Sequence, residues 1–235
     1  MTTATPASRA RTSPAEPGAP LTSPPTPTLW RIAGGLALAH VVLMLGAFAF
    51  EGVESAQHGT SPAKIVDIFG GASLTRTLVA GYVESLAFFV LTPAVIVIAW
   101  LFSRRTTAGR LAAQTFAAFG ISFVATTLAV GFPPGAAALY AAHHGVDAGS
   151  IAMVNDIRNY GFVLQVALSV AMVLALGVAA LAEGLHTRWI GWGGVAVGVI
   201  GLAVTPVAHN VVSAVWMVWW VGMAVVLLRH NRPQE

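Results

Sequence analysis

From Leu29 onward the sequence keeps returning to long apolar runs, and that repetition limits the fold more than any other feature. Six runs stand out, at about 29–50, 78–102, 110–132, 160–182, 188–208 and 211–228. A helix of about 20 residues, rising about 1.5 Å per residue, crosses a hydrocarbon core of about 30 Å. Inside such a core each backbone polar group needs a partner within the protein, and runs of this length select helices over strands. The predicted fold class is therefore all-α: a polytopic transmembrane bundle of six membrane-spanning helices over 29–229. Residues 1–28, rich in Pro, Ser, Thr and Ala, cannot bury enough apolar surface to offset their ordering entropy and read as a disordered cytoplasmic tail. Residues 230–235 read as a second short cytoplasmic tail. Arg9 and Arg11 lead into Pro-rich sequence rather than an apolar core, so the first helix is expected to be retained, not cleaved.

Composition agrees with this reading. Hydrophobic residues make up 56% of the chain and charged residues only 9%, against about one quarter charged in soluble domains. The twelve Lys and Arg sit in short clusters between apolar runs, so the expected partner is the lipid bilayer and not nucleic acid. The absence of cysteine excludes disulfides, thiolate catalysis and iron–sulfur ligation.

Basic residues set the expected orientation. Arg9, Arg11, Arg31, Arg104, Arg105, Arg110, Arg188, Arg229 and Arg232 fall on one side of the predicted spans, against Lys64, Arg76 and Arg158 on the other. The chain is thus expected in the cell membrane, multi-pass, with both termini cytoplasmic. Trp30, Trp100, Trp189 and Trp192 are expected in an aromatic belt at the same boundary. Ser61-Pro62, then AKIVDIF and Gly70-Gly71, predict a capped short helix whose Ile65, Ile68 and Phe69 lie on the membrane surface. Pro133-Pro134 are expected to end the third span, and 133–159 to form partial helix with a His143-His144 tip. The last two runs, joined by almost nothing, are expected to form a tight antiparallel pair. Gly194 and Gly198, with Gly191 and Gly201 nearby, mark the fifth helix as a packing helix.

The Gly34-Gly35 entry to the first helix, the helical first loop before TRTLVAGYVE, and the segment LHTRWIGWGGVAVGVIGL carry a resemblance. From about Leu29 to Leu228 the layout resembles a bacterial family of six-helix integral membrane proteins of unknown function. That resemblance implies the architecture and supplies no catalytic motif.

Glu84 is the one acid well inside an apolar run, about 9 Å outward of the second span's midpoint at about 1.5 Å per residue. Thr126, Thr127, Gln165, Thr205 and Ser213 fall within a turn of that height, so five helices offer a polar group to one layer. A charge at such depth costs at least about 2.5 kcal/mol unless it faces protein, a partner or water. Glu84 is therefore expected to point inward, with Arg158 and His209 nearer the outer surface. Arg158, Gln165, Ser169 and Met172 share a face that would extend a polar funnel downward. His40, near the midplane, with Trp216 and Trp220 on one face of the sixth helix, would wall an apolar pocket beneath it. The candidate ligand-binding set is thus Glu84, Gln165, Thr126, Thr205, Ser213, Arg158, His209, His40, Trp216 and Trp220. His143, His144, His58 and His209 lack metal-ligand spacing, so no metal and no cofactor is expected. The leading functional expectation is a noncatalytic membrane protein that binds or carries a proton or small amphipathic molecule. The alternatives are a membrane-embedded enzyme using Glu84 as general acid/base on a lipid-like substrate, and an accessory or structural subunit.

Overall fold

The computed structural model describes residues 26–51, 56–184 and 188–229. Both expected tails lie largely outside these residues. Every regular element described is helical: α1 (Pro27–Glu51), α2 (Pro62–Gly71), α3 (Leu74–Leu101), α4 (Thr107–Thr126), a π-helical stretch (Thr127–Gly131), α5 (Phe132–His143), α6 (Ala148–Ala182) and α7 (Arg188–Arg229). Five helical stretches among the described residues are long and apolar enough to cross a membrane: α1, α3, α4 to α5, α6 and α7.

The fifth of these is not straight. Ala208 leaves helical geometry (φ −137°, ψ 32°), two residues after Pro206, whose ring lacks the N–H a continuing helix needs. In a straight helix Trp189 and Trp219 would stand about 45 Å apart, yet their rings stack with centroids 6.5 Å apart. Gly201 also approaches Val212. The chain therefore folds back at Ala208, and the two halves of α7 run antiparallel, as the near-absence of a connection predicts.

Small residues let α6 and the first half of α7 touch backbone to backbone. A Cβ on Gly177 would stand 2.7 Å from Gly191 O and Val195 N, and one on Gly194 would stand 3.0 Å from Gly177 Cα. Contacts between Trp30 and Phe102, Gly34 and Leu228, and Glu183 and Thr106 gather the ends of α1, α3, α4, α6 and α7 at one end of the bundle, here termed the base. Trp30 is buried there at 6% exposure, edge-on to Phe102, and does not join the exposed Trp100, Trp189 and Trp192. Glu183, which ends α6, accepts hydrogen bonds from Arg104 N (3.1 Å), Arg105 N (2.7 Å), Thr106 N (3.0 Å) and Thr106 Oγ1 (3.2 Å). One carboxylate thus satisfies the turn that opens α4.

The opposite end, the cap, departs more from expectation. Pro133-Pro134 do not stop the chain: they occupy the first turn of α5, where a missing N–H costs little, and the helix continues through the π-helical stretch. α6 likewise starts twelve residues before the expected Tyr160, at Ala148, with Asp147 as N-cap accepting from Ser150 N at 2.9 Å. Those hydrogen bonds from Ser150 hold the Asp147 carboxyl below the usual range. α2 forms at the expected place, although Ser61 makes no side-chain capping hydrogen bond and Gly70-Gly71 lie inside its last turn, and its apolar face is covered by protein. Ile65 and Phe69 pack with Ala138, Leu139 and Ile151 in a second small core, because α5 and the start of α6 reach over them. His143 and His144 do lie at the α5–α6 turn.

Overpacking a well-filled contact costs about 1–3 kcal/mol. Gly177→Val is expected to lower the unfolding midpoint of the purified protein by several degrees. Gly46→Ala, at a position with open space, should leave it unchanged in the same thermal scan.

Candidate functional site

Glu84 lies on the α3 face turned into the bundle and is 8% exposed. Two other charges act on it: the Glu51 carboxylate, at the last residue of α1, and the Arg158 guanidinium, on α6. Three helices thus bring two acids and one base into electrostatic reach at the cap end of an apolar bundle. Glu51 was absent from the candidates because it closes the first apolar run and reads as the start of a loop. Its signal was the helical continuity of α1 up to residue 51, which puts it on a fixed axis.

Gln165 is buried, and its Nε2 has no hydrogen-bond partner. The amide sits against Gly131, at the end of the π-helical stretch, in the space a Cβ would fill. One turn away, Gly135 gives the same room to the Arg158 side chain, whose Cδ and Nε would lie 3.2 Å from a Cβ there. The wide turn at Thr127–Gly131 and these glycines therefore seat the two long polar side chains of α6. π-helical turns occur frequently at functional sites.

The remaining members of the expected layer divide. Thr205 is buried, but its hydroxyl donates to Gly201 O at 2.6 Å, and Thr127 donates to Phe123 O at 2.8 Å. Both serve their own helices. Thr126 and Ser213 are half-buried. His209, just past the α7 turn, stands edge-on to Phe162 at 5.6 Å, and its Nδ1 is buried without a hydrogen-bond partner.

His40, Trp216 and Trp220 form a separate aromatic centre. His40 Nδ1 donates to Ala87 O at 2.9 Å, which fixes its bare nitrogen as Nε2 in the neutral ring. Its ring meets Phe88 at 5.3 Å and Trp216 at 6.1 Å, and Trp220 Nε1 donates to Ala37 O at 3.2 Å. Phe88 is one helical turn from Glu84, so the aromatic centre lies directly below the charged group. His40 bonds the α3 backbone and not Glu84. Phe123 packs on both Phe88 (5.3 Å) and Trp216 (5.6 Å), so the rings fill the space where an apolar pocket was expected. Phe89, the neighbour of Phe88, faces outward.

The expected downward funnel is closed. Ser169 spends its hydroxyl on Val166 O at 2.8 Å, and the Met172 sulfur packs against Gly120. A cleft of about 630 Å³ does exist, but nearer the cap, between α6 and the π-helical stretch, and Glu84 is not part of its wall. Among the described residues no three His, Cys, Asp or Glu side chains converge as a metal site would require. Compared with protein-family models, with curated proteins and with solved structures, the chain shows no match.

Removing one partner of a buried charged group leaves the others uncompensated. Arg158→Met is expected to destabilise the protein by on the order of 2 kcal/mol, less than for a fully enclosed pair because Arg158 keeps some exposure. Adding Glu84→Gln should recover part of that loss. A double-mutant cycle on unfolding free energies checks this, and strict additivity would show that the two side chains are not coupled.

Proposed function

We propose that this chain is an integral membrane protein whose Glu84–Glu51–Arg158 group, with the buried Gln165 amide further along the same helix as Arg158, binds or carries a proton or a small amphipathic molecule arriving from the cap side. The observation that supports this best is the convergence of two carboxylates and one guanidinium from α1, α3 and α6 at the cap end of an otherwise apolar bundle. Desolvating such groups is costly, so an intramembrane ionisable cluster favours a role in moving or holding charge. The unpartnered Gln165 Nε2 adds a buried donor with no structural duty assigned to it.

In this reading the membrane is crossed six times, because the two halves of α7 each span it and Ala208 lies at the outer turn. The base faces the cytoplasm, which follows from its basic residues and puts both termini there. Membership in the bacterial six-helix family is part of the same proposal. A second reading gains one support: an enzyme needs a second reacting group, and Glu51 gives Glu84 a carboxyl neighbour.

Glu84→Gln keeps the shape and removes the titratable proton. In proteoliposomes the wild type is expected to release or take up protons, or to gain a pH-dependent signal on ligand addition, and the variant to lose this while unfolding at the same temperature. Wild-type behaviour in the variant would leave Glu84 a packing residue and favour a structural subunit. Orientation has a separate test: a reporter after residue 55 should be extracytoplasmic and one after residue 107 cytoplasmic, and the reverse result overturns the assignment.

A further inference from the structure

α6 extends well past the level of Gln165, and its cap-end half has two unlike faces. One carries Ile151 and Asn155, both fully buried against the cap. The other carries Met153, Ile157 and Tyr160, which are 61%, 49% and 67% exposed. Together with Val130, Ala152 and Pro62 this second face walls an open recess of about 630 Å³. Val130 immediately precedes Gly131, and Ile157 precedes Arg158, so the wall of the cleft backs directly onto the seats of Gln165 and Arg158.

The cleft's charge is one-sided. Among the described residues Asp156 is its only charged lining residue, and no lysine or arginine lines it. The Asp156 carboxylate is half exposed and meets His58 Nδ1 through one oxygen, Oδ1, at 3.4 Å. Tyr160 adds an exposed aromatic face, which attracts organic cations through its ring quadrupole. Met153 supplies a flexible, polarisable surface that adapts to varied apolar shapes. The Asp156 carboxylate repels an anion and attracts a cation more strongly than it attracts a neutral hydrogen-bond donor.

We propose that this cleft binds an amphipathic organic monocation, with its apolar body against Met153, Ile157 and Val130 and its cationic head at Asp156 and Tyr160. The proposal deepens the reading above by naming the class of molecule that approaches the Glu84 group, and it places the first binding position outside that group. Asp156 and His58 form a contact that the cation's head would share or displace.

The test uses the full-length protein in nanodiscs of neutral lipid, with empty nanodiscs as the partition control. Three probes with one tail are compared by equilibrium dialysis: 4-phenylbutyl-trimethylammonium, 4-phenylbutanol and 5-phenylpentanoate. Saturable binding is expected for the ammonium probe, roughly tenfold weaker binding for the alcohol and none for the carboxylate, as for a site with one charge contact. Asp156→Asn should weaken ammonium binding by roughly tenfold, and Ala152→Phe, which fills the cleft, should remove it. Both variants must unfold at the wild-type temperature. In the Glu84→Gln background, Asp156→Asn should still weaken ammonium binding by roughly tenfold, which separates this proposal from the role of Glu84. Equal binding of all three probes, no saturable ammonium binding, or an unaffected Asp156→Asn variant would overturn it. So would loss of binding in Glu84→Gln with retention in Asp156→Asn, since the site would then lie at Glu84.

Discussion

The close packing of α6 on the glycine face of α7 is the contact on which the rest of the molecule depends. In lipid no hydrophobic force draws apolar helices together, so backbone proximity and interdigitation must do so. Gly177 on α6 and Gly191 and Gly194 on α7 permit that approach, and a methyl group at any of them would meet a neighbour. α6 is accordingly the most enclosed of the long helices. It also carries Asp156, Arg158 and Gln165 toward one end and leads into Glu183 at the other. Fixing α6 therefore fixes both polar ends of the bundle.

The two ends use carboxylates differently. Glu183 accepts three backbone N–H groups and one hydroxyl, all from the short turn at residues 104–106. Its charge is matched locally, and it acts as a joint between α6 and α4. Glu84 instead meets charges carried by α1 and α6. Moving any of the three helices changes the field at Glu84, whereas Glu183 is tied to one loop. That contrast separates a carboxylate that holds the structure from one suited to respond to it.

Helix existence was legible in the sequence because apolar length is a one-dimensional property, and the glycine spacing of 191–201 marked the packing helix for the same reason. The fold-back near 208 was legible too, since Pro206 and the polar His209-Asn210 interrupt two full-length runs. The cap was not. Pro133-Pro134 look like a stop, but proline at a helix start is tolerated, and the preceding π-helical stretch carries the chain through. Which polar groups meet was only partly legible. Equal height says nothing of rotation: it puts Thr205 and Thr127 in a shared layer with Glu84, whereas their hydroxyls bond their own backbones. Glu51 was missed because a residue that ends an apolar run carries no sign of which way its helix axis points it.

The aromatic centre separates the polar groups of the cap from those of the base. His40, Phe88, Phe123 and Trp216 contact one another edge to face across four helical segments, with centroid separations of 5.3–6.1 Å. Such packing leaves no apolar chamber beneath Glu84, and Met172 against Gly120 closes the route along α6. A molecule reaching the charged group must therefore approach from the cap side. A recess on that side lies along the wall of α6 next to Val130. The π-helical stretch shapes both places at once: Gly131 seats the Gln165 amide on the inner side, while Val130 lines the cleft on the outer side. A change in that turn would be felt in the cleft and at the buried amide together.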